Sequence, residues 1–242
     1  MEKDGVWSED FKITAFMVDK DREANLTTVQ NICQEVAGNH AQFRQLGYED
    51  MHAQGMAWVL NRLKINIIRF PKWMEMVNAK TWVSQMQPFS HRHFQIKTND
   101  TEGAVLANIY TIWIPIDTTT KRPKRLPNFD FPLNNIVYDC EIPEKLPFTE
   151  GGILSTEQVV HLSDLDMLGH VNNAKYIEWL LDDFYKMDKT NKPKSLEINY
   201  LGEVFEGETV QIYTQKMEDT VFYSMKNKED NKELIRAKIN VA

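Results

Sequence analysis

The sequence holds little cysteine, with Cys33 and Cys140 alone among 242 residues. That excludes a disulfide-stapled scaffold and makes a reducing cytoplasm the expected setting. No apolar run reaches the length of a membrane span. The opening residues, MEKDGVWSED, lack the apolar core of a secretory signal, and they are acidic and poor in arginine, unlike a transit peptide. Positive charge is in the minority. The net charge of −7 offers no general attraction to nucleic acid or to an anionic membrane. A P-loop, a G-x-G-x-x-G and a G-x-S-x-G are all missing, which removes support for nucleotide binding and for a serine-hydrolase elbow. His91 and His93 share one strand face, but no further ligands stand at metal-binding spacing, so neither a metal nor a cofactor is expected.

What the chain has in quantity is aromatic side chains, 12 Phe, 8 Tyr and 6 Trp, which favour sheets and apolar pockets. Its length suits two small domains, each with a core of its own. Two long amphipathic stretches stand out. From about Thr28 to Leu46, Val29, Ile32, Cys33, Val36, Ala37, Phe43 and Leu46 recur at helical spacing. Thr27 and Gln30 have capping-box spacing, and Gly47 can end the helix. From Asn173 to Met187 the stripe is Tyr176, Ile177, Leu180, Leu181, Phe184 and Met187, with Asn172 or Asn173 as cap. Each helix follows one strand-like segment (11–18 and 156–162). Four more come after it: 57–70, 76–85, 91–98 and 106–116 in the first half, and 195–204, 209–216, 221–227 and 233–241 in the second. The matched order suggests an internal repeat. Laying 63–77 on 196–210 pairs Leu63 with Leu196, Ile65 with Ile198, Asn66 with Asn199, Glu75 with Glu208 and Val77 with Val210.

Residues 118–135 carry three prolines and the basic run Lys121, Arg122, Lys124 and Arg125, which reads as a linker. The expected domains are therefore 1–130 and 131–242. A long helix covering a curved antiparallel sheet is the hot-dog arrangement. The expected fold class is α+β, a tandem (double) hot-dog in one chain.

The stretch SDLDMLGHVNNAKYIEWLLDDF, residues 163–184, carries the chemistry. Asp166, Gly169, His170, Asn172, Asn173 and Tyr176 stand at the entry to the second helix. Attack of water on a thioester needs a carboxylate or imidazole to take the proton. The oxyanion then needs donors, which a helix N-terminus offers. The plain alternative makes Asp166 and Asn172 turn and cap residues and His170 a polar packing residue.

The string D-x-x-G-H-V-N-N-x-x-Y resembles the signature of hot-dog thioesterases, and Lys175-Tyr176 continues it as in the plant fatty acyl-carrier-protein thioesterases. Residues 58–83 and 197–210 resemble further segments of that family. The resemblance implies a catalytic set of Asp166, His170 and Glu203. Either Glu203 or Asp166 serves as base in that reading, with hydrolysis by activated water. It implies substrate contacts at Asn172, Asn173 and Tyr176, and an acyl pocket walled by first-half residues such as Trp58, Leu60, Ile65 and Trp82, though for any single one of these plain core packing is the favoured reading. It also implies an acyl carrier protein as partner, with Lys121, Arg122, Lys124 and Arg125 as its docking patch or merely as a solvated linker. Monomer and homodimer are both compatible. Two departures from the plant pattern are Leu168, where an asparagine stands, and Val204, where a cysteine often stands. Aligning the helix entries sets Asp21 against Asp166 and Asn25 against His170, so the first half is expected to lack a second active site. The competing functions are an acyl-CoA thioesterase, a dehydratase and a non-catalytic acyl-binding module.

Overall fold

The computed structural model describes residues 2–126, 131–147 and 151–241. It comprises two compact units, Met1–Pro143 and Glu144–Ala242. The first contains β1 (Glu2–Lys3), β2 (Val6–Lys12), α1 (Leu26–Phe43), α2 (Tyr48–Ala53), β3 (Met56–Ile67), β4 (Met76–Gln85), β5 (Ser90–Thr98) and β6 (Val105–Asp117). The second contains β7 (Ile153–Val159), α3 (Asn173–Met187), β8 (Ser195–Tyr200), β9 (Thr209–Met217), β10 (Thr220–Asn227) and β11 (Glu233–Asn240). Strand order is β1-β2-β4-β5-β6-β3 in the first unit and β7-β9-β10-β11-β8 in the second. All these pairings are antiparallel. Apart from the two-residue β1, the orders correspond strand for strand, so the chain is a tandem hot-dog.

Side-chain alternation explains why each helix stays on its sheet. Along β4, Val77, Ala79, Thr81 and Val83 are buried while Asn78 and Lys80 are half-buried. The stripe Leu26, Val29, Ile32, Cys33, Val36 and Ala37 of α1 is buried, and α1 packs on β2 and β4. Each fully buried aliphatic side chain of this kind contributes about 1.5–3 kcal/mol. In α3 the buried set is Tyr176, Ile177, Trp179, Leu180, Leu181 and Phe184.

Several local expectations shift. The cap of α1 is Asn25, whose side chain accepts from the Thr28 N–H at 2.9 Å, rather than Thr27. The helix ends at Phe43, and Gly47 starts α2 instead of ending α1. The strands ahead of the long helices lie earlier than expected, at Val6–Lys12 and Ile153–Val159. The apolar run after Lys12 instead enters a single 3-10 turn, Ala15–Met17, in which Phe16 is fully exposed. β3 and β8 stop at Ile67 and Tyr200 because the chain bulges there. Ile68 and Arg69 both donate to the Leu106 carbonyl, and Leu201 and Gly202 both donate to that of Leu234.

The expected linker is tied down where the structure describes it. The Asp117 N–H donates to the Arg122 carbonyl, and the Lys124 N–H to that of Pro115. Lys124 Nζ reaches Asp117 at 3.1 Å, Arg125 donates to Gln87 at 2.7 Å, and Leu126 is buried. Residues 127–130 lie outside the described residues. Beyond them the chain still belongs to the first unit. The Tyr138 hydroxyl donates to the Ile109 carbonyl (2.9 Å), Asn108 donates to that of Asp139 and Arg62 to that of Pro143. These bonds move the boundary between units to Pro143, later than residue 130.

Candidate active site

The turn that precedes α3 is built by one carboxylate. Asp166 Oδ1 accepts the N–H groups of Leu168 (2.8 Å) and His170 (3.2 Å). The Asp166 N–H donates to the His170 carbonyl and the Gly169 N–H to that of Asp166. Leu165 and Val171 form a bridge at the base of the loop. Gly169 has φ +77°, the left-handed region where a side chain is strained. The Asp166 side chain thus folds the loop and presents the imidazole of His170. Leu168 contributes its N–H, and its side chain is exposed.

Asn172 caps α3 by accepting from the Ala174 N–H at 2.9 Å. Lys175 donates its N–H to the Asn172 carbonyl, and Asn172 its own to the Asp164 carbonyl. Several N–H groups of the loop and first helical turn are therefore already engaged, so the expected helix-end oxyanion site is weaker than the sequence suggested. Asn173 accepts the Tyr200 hydroxyl at its carbonyl (3.2 Å).

Glu203 arrives from a distant part of the chain. The bulge after β8 releases it from the sheet, the next residue Val204 is fully buried, and the Phe205 N–H is held by Glu208 Oε2 at 2.8 Å. His170 Nδ1 lies 3.7 Å from Glu203 Oε1, with the two side chains 26% and 39% exposed. That separation is too long for a direct hydrogen bond, and both groups are open to water. The Phe205 ring meets the His170 ring edge-on at 5.4 Å. Below them Tyr176 is buried among Trp179 and Tyr200. Burial first, then the charges of Glu203, Glu208 and Asp166, push its hydroxyl pKa up, so the phenol stays a proton-bearing donor beside the acids.

The remaining candidates lie in the first unit. Trp58 donates its indole N–H to the Leu46 carbonyl at 3.1 Å and packs against the cluster of Leu46, Met51, Met56, Val83 and Leu126. Trp82 is buried and stacks on His93 at 5.4 Å. Of the basic run, Lys124 and Arg125 are engaged as described above. Among the described residues no group of three His, Cys, Asp or Glu side chains is placed to hold a metal ion, and no helix is long and apolar enough to cross a membrane.

The structure corrects the alignment of the two loops. Asp19, not Asp21, matches Asp166. Its Oδ1 accepts the N–H groups of Asp21 (2.8 Å) and Glu23 (3.3 Å), its own N–H donates to the Glu23 carbonyl, and Val18 bridges Ala24. Glu23, not Asn25, therefore stands where His170 stands. By the shared bulge, Phe70 stands where Glu203 does. The signal was available: Asp19 and Asp166 lie equally far upstream of the caps Asn25 and Asn172.

Two hot-dog units in one chain, the second carrying an acid–imidazole pair, define the double hot-dog class. Residues 4–129 match the model of the acyl-ACP thioesterase N-terminal domain and residues 152–241 that of the C-terminal domain. The chain belongs to the acyl-ACP thioesterase family. A chloroplastic palmitoyl-acyl carrier protein thioesterase from Gossypium hirsutum is 28% identical over 192 residues, 73% of this chain and 46% of that protein. This chain spans about half the length of the curated relatives it matches. In fold it is similar to an acyl-ACP thioesterase from Bacteroides thetaiotaomicron, with TM-score 0.88, 24% identity, and 98% of this chain and 97% of that one covered. It is also similar to the 12:0-ACP thioesterase from Umbellularia californica, with TM-score 0.85, 21% identity, and 99% and 98% covered.

Proposed function

We propose that the protein hydrolyses fatty acyl thioesters of acyl carrier protein to free fatty acid and carrier thiol. The observation that carries this reading is the His170–Glu203 pair at 3.7 Å, half-open to water. A water lying between the two can lose its proton to Glu203 as its oxygen attacks the thioester carbonyl. His170 donates to the oxyanion, because backbone N–H groups nearby are engaged. When the C–S bond breaks, the proton passes to the departing thiolate. Asp166 serves as a positioning residue, through the loop that aims His170. Asn172, Asn173 and Tyr176 shape the floor of this site, and Trp58 belongs to apolar packing of the first unit. Val204 leaves no thiol for an acyl-enzyme at that position.

For the carrier, Lys121 and Arg122 supply the outward positive charge of the docking patch, since Lys124 and Arg125 are engaged within the protein. For the compartment, two cysteines that are both free support a reducing cytoplasm. The test is an assay of the purified chain on the same acyl group carried by acyl carrier protein and by CoA, across graded chain lengths. Release of fatty acid with higher kcat/KM on the carrier is expected. Preference for CoA moves the substrate to acyl-CoA, and no release from either ends the hydrolase reading.

A further inference from the structure

The face of the first-unit sheet that turns away from α1 carries a chain of hydrogen bonds that the proposed hydrolysis does not use. Its anchor is a backbone acceptor. The Tyr138 hydroxyl donates its one proton to the Ile109 carbonyl at 2.9 Å, so it accepts from His93 Nδ1 at 2.8 Å. His93 Nδ1 therefore bears the ring proton, and Nε2 is the acceptor. Facing Nε2 at 2.5 Å is Ser84 Oγ, which must donate. Beside it the Tyr110 ring meets the His93 ring edge-on at 4.2 Å, and the Tyr110 hydroxyl meets His91 Nδ1 at 2.9 Å. The direction from Ser84 through His93 to Tyr138 follows from the carbonyl at its end.

This is a hydroxyl, an imidazole and a group that fixes the tautomer of that imidazole, the relation that primes a nucleophile. Three further observations point to a ligand rather than to packing. Ser84 is the residue at which the β4–β5 register slips, between Val83 and Gln85, and bulges of this kind re-aim side chains. Ser84 is only half-buried. Trp82, 2% exposed and stacked on His93, has an indole N–H with no partner, which is costly to leave unmatched. The geometry points to Ser84 as a nucleophilic serine, with His93 as its base, acting on small activated acyl esters or thioesters.

In that step Ser84 Oγ bonds to the carbonyl carbon and its proton goes to His93 Nε2. The bond to the leaving alcohol or thiol breaks, and the leaving group takes the proton from His93. Water then repeats the sequence and frees Ser84. The absence of a G-x-S-x-G is no obstacle, since the hydroxyl is presented by a strand bulge instead of an elbow.

The experiment is reaction of the full chain with an alkyl fluorophosphonate, read by intact mass and peptide mapping, which separates Ser84 from every other residue. One adduct on Ser84 is expected, with loss of fluoride. His93→Gln is expected to slow labelling at least ~100-fold. Tyr138→Phe, which keeps the imidazole but removes its orienting acceptor, is the second variant, and it too is expected to label more slowly than wild type. No adduct on Ser84, or wild-type labelling rates in the variants that fold, overturns the assignment.

Discussion

The turn ahead of α1 and the turn ahead of α3 share one backbone and carry different side chains where the second is proposed to do chemistry. In both, an aspartate folds the loop by accepting two N–H groups, an antiparallel bridge closes it, and an asparagine caps the helix that follows. Where the second unit places His170 and Glu203, the first places Glu23 and Phe70. Arg69, held by Glu75 at 2.6 and 3.0 Å, stands in the place of Gly202. The backbone therefore comes with the fold, and the proposed chemistry comes from two substitutions on it. The comparison also divides the labour within the second loop. A carboxylate that recurs where there is no imidazole to orient is there to hold the turn.

The largest effects should separate the two turns by activity. Glu203→Gln and His170→Asn are each expected to lower kcat by about 10²–10⁴-fold. Glu23→Gln, at the position equivalent to His170, should leave kcat within about twofold. A loss from Glu23→Gln as deep as that from His170→Asn would break the comparison.

Acid should separate the units by stability. The first unit buries His40 and His93, while the second, among its described residues, buries no histidine. Burial, with the charges of Arg92 and Arg44, holds His40 down to about 3, and His93 lies at about 4. Both are ordinarily near 6.5. Between the folded and unfolded values the unfolded chain binds more protons, so stability falls as pH falls. The first unit should keep its full stability above about pH 6.5 and lose several kcal/mol on approach to pH 4. Hydrogen exchange at the two pH values checks this: amides of α1 and β5 should lose protection before those of α3 and β10.

The parts of this comparison that the sequence exposed are those carried by local periodicity. The bounds Asn173–Met187 and Met76–Gln85 coincide with α3 and β4, because an apolar stripe and the alternation along Val77, Asn78, Ala79 and Lys80 are short-range signals. The strands before the helices were misread, because Ile13, Ala15, Phe16 and Met17 form an apolar run whatever their geometry. Only partner bonds show that the strand ends at Lys12. The unit boundary was hidden for the same reason. Tyr138 and Asp139 lie past the linker expected at 118–135 and read as the start of the second domain until Ile109 and Asn108, far back in the chain, are seen to bind them. In the site, Asp166 and His170 were visible in one motif. The approach of Glu203 depended on a resemblance, since a bulge about thirty residues downstream sets it, and no local pattern reports a bulge. The Asp19 match was missed because the helices were aligned on their entry rather than on their caps.

A smaller effect tests the role given to Asp166. Replacing Asp166 or Asp19 by Ala removes an acceptor of two N–H groups and should cost about 2 kcal/mol in either unit, measured by urea unfolding. Asp166→Asn keeps the accepting oxygen and should retain most of the turnover. If Asp166→Asn instead falls as far as Glu203→Gln, Asp166 takes part in the chemistry, and the kinship of the two turns is only geometric.

The smallest effect concerns the one left-handed residue in each turn, Gly169 at φ +77° and Arg22 at φ +61°. A Cβ built on Gly169 has nothing within 4 Å, so the cost of Gly169→Ala is conformational, about 1 kcal/mol. Arg22→Gly relieves the same strain, but glycine loses more freedom on folding, and the net gain should be only about 0.5 kcal/mol. The two changes should therefore move stability in opposite directions, and only Gly169→Ala should touch kcat, because only that loop carries an imidazole to misaim. Should Gly169→Ala lower stability and leave kcat intact, the aim of His170 is set by its contact with Phe205 and not by the loop. Asp166 would then lose its positioning role while Glu203 kept its own.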